Sequence, residues 1–296
     1  MENKIKEYYD IAIIGGDKRL TYMARIFKKK GYKVYCTQDG CEDNSFAYTA
    51  TGVKEAINLS HIIVGGIPFL KDEKVFSSEW TLNLSKEEIF SALKKGHQFF
   101  AGMLSEELEK VCREKEVICY DFMKDELLTV FNTVATAEGA ILEALKNKET
   151  NIHKSRTLVL GYGRCAKTLG DKLKGLSAQV TVCCRNEEQL ECAAACGFNT
   201  FLLKELKEKV NEFEYIYNTI PFLILDKDML QNVRRDALII DIASGKGGID
   251  FEAAQMLGIR ALLCPGLPGK YAPQISAEKL ADYVMEKTFG KEEKKG

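Results

Sequence analysis

The stretch with the clearest chemistry is Gly161-Tyr-Gly163-Arg164-Cys165-Ala166, which interrupts the apolar run Leu158-Val-Leu160 and opens a helical pattern. Small residues belong at three of these places if a dinucleotide is held there. Gly161 permits the tight turn, Gly163 lets the backbone approach a pyrophosphate, and Ala166 lets helix and strand pack closely. The phosphates would then meet the free N–H groups and positive dipole of the helix start. Gly161, Gly163, Arg164, Cys165 and Ala166 are therefore candidate cofactor contacts. The following strand bears on which cofactor. About 20 residues beyond the glycines, an enzyme for NAD carries an acid against the ribose. Here Val180-Thr-Val-Cys-Cys184 ends in Arg185-Asn186, and the first acid is Glu187, already on the next helix. A carboxylate would repel a 2′-phosphate, whereas a guanidinium grips it and stacks on adenine. Arg185 thus favours NADP(H).

Ligands of such sheets sit beyond the carboxyl ends of the strands. Three loops occupy that edge: Asn218-Thr219-Ile220-Pro221, Asp241-Ile-Ala243-Ser244-Gly-Lys246-Gly-Gly248 and Pro265-Gly-Leu-Pro-Gly269-Lys270-Tyr-Ala-Pro273. Their glycines and prolines suit close backbone approach to a ligand. Asn218 through Pro221, with Ala243 and Ser244, are expected to line the cofactor. Ser244 can also bond a substrate, and Lys246 and Lys270 can neutralise its carboxylates. A solvated loop charge is the alternative for each lysine. A second turn, Gly15-Gly16-Asp17-Lys-Arg19, lacks the spacing of a dinucleotide turn. N–H groups and Arg19 suit a carboxylate there, unless Asp17 merely caps a helix and Arg19 points to water. Thr133, Thr136 and Glu138 lie at the junction between the halves and are further substrate-side candidates. Glu138, as a base, and Lys246 are the candidate catalytic groups.

Apolar runs of four to six residues, each followed by Gly and a helical pattern, must position these groups. In the first half they are Asp10–Ile14, Lys33–Cys36, His61–Val64, Gln98–Ala101 and Val117–Tyr120; in the second, Thr157–Leu160, Gln179–Cys183, Tyr215–Asn218, Ala237–Asp241 and Arg260–Cys264. Such runs describe buried parallel strands. The expected fold is α/β, with two doubly wound, Rossmann-like parallel sheets joined by a long helix over 126–148. That helix is expected to begin or bend near Thr133–Thr136. A last helix, 276–290, returns to the first domain. The boundaries are 1–132 with 276–290, and 133–275.

The bulk numbers exclude other classes. A length of 296 residues fits two ordinary cores. A net charge of −1 offers no basic field for nucleic acid and no polybasic run for a membrane surface. No apolar run approaches the roughly 18 residues of a span, and Met1–Glu7 lacks the apolar core of a signal peptide, so a cytoplasmic protein is expected. Among ten cysteines none forms a C-x-x-C pair, and His61, His97 and His153 are far apart. Zinc is not expected, and the thiols read as small buried apolar groups in a reducing compartment.

The layout resembles D-2-hydroxyacid dehydrogenases, but no His follows His153 and Lys246 stands where that family has Arg, so their general base is missing. A resemblance spanning nearly the whole chain is to the dipicolinate synthase A-subunit family. It is carried by Ile13-Ile-Gly-Gly-Asp-x-Arg19, Asn132-Thr-Val-Ala-Thr136-Ala-Glu-Gly139, Leu160-Gly-Tyr-Gly-Arg164, Asn218-Thr-Ile-Pro221, Asp241-Ile-Ala-Ser244, Gly247-Gly-x-Asp250-Phe251 and Pro265-Gly-Leu-Pro-Gly269-x-x-Ala-Pro273. Where that family commonly has Ser-Arg-Pro-Gly-Gly, this chain reads Ser244-Gly-Lys-Gly-Gly248, its cation one place later. The resemblance implies NADP-dependent oxidation of a small dicarboxylate, dihydrodipicolinate, to dipicolinate in a sporulating bacterium. It also implies a partner, the flavoprotein-like B-subunit of dipicolinate synthase; the assembly is expected to be oligomeric. Two other readings stay open: another NAD(P)-dependent dehydrogenase of the alanine or hydroxyacid type, and an NADP-binding scaffold whose partner supplies the catalytic groups.

Arg185→Asp is expected to weaken NADP(H) binding about tenfold or more while sparing NAD(H). Titration with both cofactors measures this, and an unchanged NADP preference would refute the role of Arg185.

Overall fold

The computed structural model describes residues 9–37, 50–78 and 84–290. The chain forms two compact units, residues 1–129 with 272–296, and residues 130–271. In the first unit the elements run β1 (Ile11–Ile14), α1 (Lys18–Lys29), β2 (Val34–Cys36), α2 (Ala50–Asn58), β3 (Ile62–Gly65), the hairpin β4 (Leu70–Lys71) and β5 (Lys74–Val75), α3 (Lys86–Ala92), β6 (Gln98–Ala101), α4 (Glu106–Glu114) and β7 (Ile118–Asp121). The large sheet is parallel throughout, in the order β2-β1-β3-β6-β7. Its helices start where short polar side chains hold the first free amides. Asp17 accepts from the Arg19 amide, Ser85 and Glu88 form a reciprocal box, and Ser105 accepts from Leu108.

Helix α5 (Glu126–Asn147) leads into the second unit. It runs as one uninterrupted helix through Thr133–Thr136 and begins at Glu126 rather than near those threonines. The two hydroxyls donate back to the Val130 and Asn132 carbonyls at 2.7 and 2.8 Å, so threonine is accommodated within the helix. The second unit continues with β8 (Arg156–Leu160), α6 (Arg164–Gly175), β9 (Gln179–Cys184), α7 (Glu187–Ala195), β10 (Asn199–Leu202), α8 (Leu206–Lys209), β11 (Tyr215–Asn218), α9 (Lys227–Leu230), β12 (Leu238–Asp241), α10 (Phe251–Met256), β13 (Arg260–Leu263) and α11 (Leu267–Tyr271). Its parallel sheet has the order β10-β9-β8-β11-β12-β13, which reverses direction between β8 and β11. Strand β10 is not among the apolar runs read from the sequence. It is an edge strand, half-exposed, with Asn199 and Thr200 among its four residues, so its pattern is weak. The expected loop 265–273 also contains structure: Leu267 and Gly269 are buried and the chain coils as α11.

Helix α12 (Pro273–Phe289) returns to the first unit, where Ala277, Leu280, Ala281 and Val284 join Ile11, Met23 and Phe27 in one core. It starts a turn earlier than expected because Pro273 sits at its first positions, where a missing N–H is harmless. Cys41 and Met1–Glu7 lie outside the described residues; the other nine cysteines are free thiols. Among the described residues no helix is long and apolar enough to cross a membrane.

His97 precedes β6 and is 1% exposed, its Nδ1 accepting from the Lys94 amide and its Nε2 meeting no partner among the described residues. Burial, with the charges of Lys94 and His61, pushes its pKa down to about 4. The unfolded chain takes up this proton below about 6.5, whereas the folded chain resists until about 4. Stability is therefore full above pH 6.5 and falls by about 3 kcal/mol as the pH drops towards 4. Urea unfolding at pH 7 and 4.5 is expected to show less of this loss in His97→Gln, and equal losses would refute the assignment.

Candidate functional site

The β8–α6 turn has the form that a dinucleotide needs. Gly161 has a φ of +93°, and a Cβ there would meet Thr219 Oγ1 at 2.5 Å, so only glycine fits. Gly163 is the N-cap of α6 and makes no side-chain cap, leaving the first amides of a 12-residue helix open. A Cβ on Gly163 would find no atom of the described residues within 4 Å, so a side chain at this cap position is not excluded by packing. Ala166 is fully buried against the sheet, Cys165 is half-buried beside it, and Arg164 is exposed at the first position of α6. Arg185 stands exposed at the end of β9, with no hydrogen-bond or ion-pair partner among the described residues.

The loops after β11 and β12 are built around a buried pair. Asn218 and Asp241 end these neighbouring strands and are both 0% exposed. Asn218 Nδ2 donates to Asp241 Oδ1 and to the Ile220 carbonyl, each at 3.0 Å, while Asn218 Oδ1 accepts from the Ile220 amide at 3.0 Å. Asp241 accepts further from the Ala243 and Gly248 amides at 2.9 and 2.7 Å. Burial pushes the Asp241 carboxyl up, opposed by these three donors. Asn218 thus acts within the protein, not as the direct cofactor contact expected of it, because all its donors and its acceptor oxygen are engaged. Thr219 Oγ1 donates to the Leu160 carbonyl at 2.7 Å and keeps lone pairs for an incoming donor. Ile220 is half-buried, Ala243 is buried, and Pro221, Ser244 and Lys246 are exposed. Lys246 and the Ser244 hydroxyl have no partner among the described residues.

Residues 10–123 match the family model of the N-terminal domain of the dipicolinate synthase A-subunit. The dipicolinate synthase A-subunit of Bacillus subtilis is 31% identical over 285 residues, covering 93% of this chain and 94% of that one. The chain belongs to the dipicolinate synthase A-subunit family. The crystal structure of the dipicolinate synthase A-subunit from Bacillus halodurans superposes with a TM-score of 0.79 at 27% identity, covering 94% of this chain and 97% of that one. A transhydrogenase from Sinorhizobium meliloti shares the fold, with a TM-score of 0.62 at 15% identity over 93% and 92% of the two chains.

In this member of the family several expected groups have other partners. Arg19 is 5% exposed and does not point to water. Asp17 grips its Nε at 2.9 Å and its Nη2 at 2.7 Å, and Nη2 also donates to the Ile67 carbonyl at 3.1 Å. Nη1 has no hydrogen-bond partner among the described residues. The amides of the same turn are engaged as well: Gly15 donates to Thr37 Oγ1 at 2.8 Å and Gly16 to the Phe76 carbonyl at 2.5 Å. The amide-rich carboxylate cradle expected here is therefore filled by the protein's own chain.

Lys270 is not a free cation either. Its ammonium pairs with Glu143, which also accepts from the Tyr271 hydroxyl at 2.5 Å. Lys270, then Tyr271, holds the Glu143 carboxyl below the usual range, and Glu143 raises the Lys270 pKa in turn. Thr133 is buried and shares a 2.8 Å bond with the Thr168 hydroxyl, so it fastens α5 to α6. Thr136 is half-buried and bonded within its helix. Glu138 pairs with Lys172 at 2.9 Å on the exposed flank of α6. Lys172 is eight residues beyond Arg164, about 12 Å by helical rise, so the role of Glu138 as a base is not retained. Asp241 was missed by the reading of the sequence as a site residue. An acid closing an apolar strand and facing Gly-rich sequence is the signal that marks it.

Gly163→Asp separates stability from binding. The φ of −79° and the open surroundings accept the side chain, and aspartate is the better N-cap. A gain of a few tenths of a kcal/mol or no change is expected in thermal unfolding. Dinucleotide binding should be lost, since the carboxylate occupies and repels the phosphate position; retained binding would place the phosphates elsewhere.

Proposed function

We propose that this chain is the dehydrogenating component of dipicolinate synthase, oxidising dihydrodipicolinate with NADP+ in the cytoplasm of a sporulating bacterium. The flavoprotein-like B-subunit is its partner. The observation that carries the reading is the uncapped N-terminus of α6 behind Gly163, with Arg185 and no acid closing the neighbouring strand. In the overall reaction, dihydrodipicolinate and NADP+ give dipicolinate, NADPH and one proton. The nicotinamide, when bound, supplies the acceptor for the hydride.

The protein's own groups bind and orient. The first amides of α6 oppose the pyrophosphate charge, and Arg185 pairs with the 2′-phosphate. Thr219 Oγ1 and the Ser244 hydroxyl offer polar contacts on the β11 and β12 side of the turn. Lys246 is the exposed cation of that side and offsets a substrate carboxylate. Formation of an aromatic ring supplies the driving force, and water takes the proton, which suits a site whose nearest acids are engaged.

The engagement of Arg19, Glu138 and Lys270 favours a second reading, in which the partner protein completes the site. One assay separates the two. The purified chain, alone and with the B-subunit, is mixed with NADP+ and enzymatically generated dihydrodipicolinate, while NADPH and the pyridine product are followed by absorbance. Turnover by the chain alone is expected. Turnover only with the partner supports the shared site, and none in either mixture refutes the dipicolinate assignment.

A further inference from the structure

The pairing of Asn218 with Asp241 is costly as a packing device. Burying a carboxylate carries a desolvation penalty of several kcal/mol, and an apolar residue of similar size serves a core as well or better. Both side chains nevertheless end their strands at 0% exposure. What they hold is backbone: the Ile220 amide and carbonyl on one loop, and the Ala243 and Gly248 amides on the other. The two loops also touch directly. A Cβ on Gly248 would overlap the Ile220 and Phe222 carbonyls and come within 2.7 Å of Asn218 Nδ2, and the Ile224 amide donates to the Gly248 carbonyl at 2.8 Å.

The strand order places this assembly. Arg185 ends β9, on one side of β8; Asn218 and Asp241 end β11 and β12, on the other. With the phosphates at the β8–α6 turn, the 2′-phosphate and adenine lie towards β9 and the nicotinamide towards β11 and β12. We propose that Asn218 and Asp241 are the positioning pair for the nicotinamide half of the cofactor. They make no contact with it and act by holding Thr219–Pro221 and Ala243–Gly248 in shape. This rests on the dinucleotide reading above.

Calorimetry on the full chain, with NADP+ and with 2′-phospho-ADP-ribose, tests the pair. The second compound keeps the adenine half and pyrophosphate but lacks nicotinamide. Asp241→Asn keeps the shape but turns one acceptor oxygen into a donor, so either the Ala243 or the Gly248 amide loses its acceptor. Asn218→Ala leaves Asp241 with both of those amides and keeps the test decisive should Asp241→Asn fail to fold. Each is expected to weaken NADP+ binding about tenfold or more while 2′-phospho-ADP-ribose stays within about twofold. The fluorescence of bound NADPH, which reports the surroundings of the nicotinamide, should move towards that of free NADPH. Equal weakening of both compounds in Asn218→Ala would make the pair merely structural, and no weakening of either would leave it without a positioning role; both overturn the proposal. Failure of the unaltered chain to bind either compound overturns the dinucleotide reading itself, and the pair's role with it.

Discussion

Parallel strands buried on both faces impose one demand on this molecule: every loop that leaves their carboxyl ends must satisfy its own backbone groups without a ladder partner. Short polar side chains at or just beyond the strand ends meet it. Asp121 closes β7 and accepts from the Met103, Leu104 and Met123 amides. Asn218 and Asp241 do the same for the loops after β11 and β12. Asp17 holds both the first turn of α1 and the guanidinium of Arg19. Charge that looks catalytic in the sequence is, at these places, structural.

The two units answer the same demand with opposite results at their first turns. In the first unit the chain from Val75 to Ser77 runs against Gly15 and Gly16, so their missing Cβ atoms admit protein. In the second unit Gly161 is crossed by Thr219, yet no described residue crowds Gly163 and α6 begins uncapped. One glycine turn is closed by its own chain and the other is not. Three of the cations and acids are matched one to one: Arg19 by Asp17, Lys172 by Glu138 and Lys270 by Glu143. The exposed cations Arg185 and Lys246 stand apart from that matching.

The strands of both sheets, apart from β10, were legible as apolar runs, because a strand covered on both faces has no polar positions to blur it. The β8–α6 turn was legible because its constraints are local: φ at Gly161, the N-cap at Gly163 and packing at Ala166 lie within six residues. Edge strand β10 and helix α11 were not, since the first is half-solvated and the second contains Pro268 and Gly269, which argue against a helix until Leu267 is seen to be buried.

Sequence alone therefore determined the fold class, the glycine turn between β8 and α6 and the absence of an acid at the end of β9, each set by residues adjacent in the chain. Only the tertiary structure decided which polar groups remain available. Glu138 meets Lys172 across 34 positions, Asn218 meets Asp241 across 23, and Lys270 meets Glu143 across 127. A side chain's pairing depends on what packing brings within about 3 Å of it, and separations of that length leave no trace in local pattern.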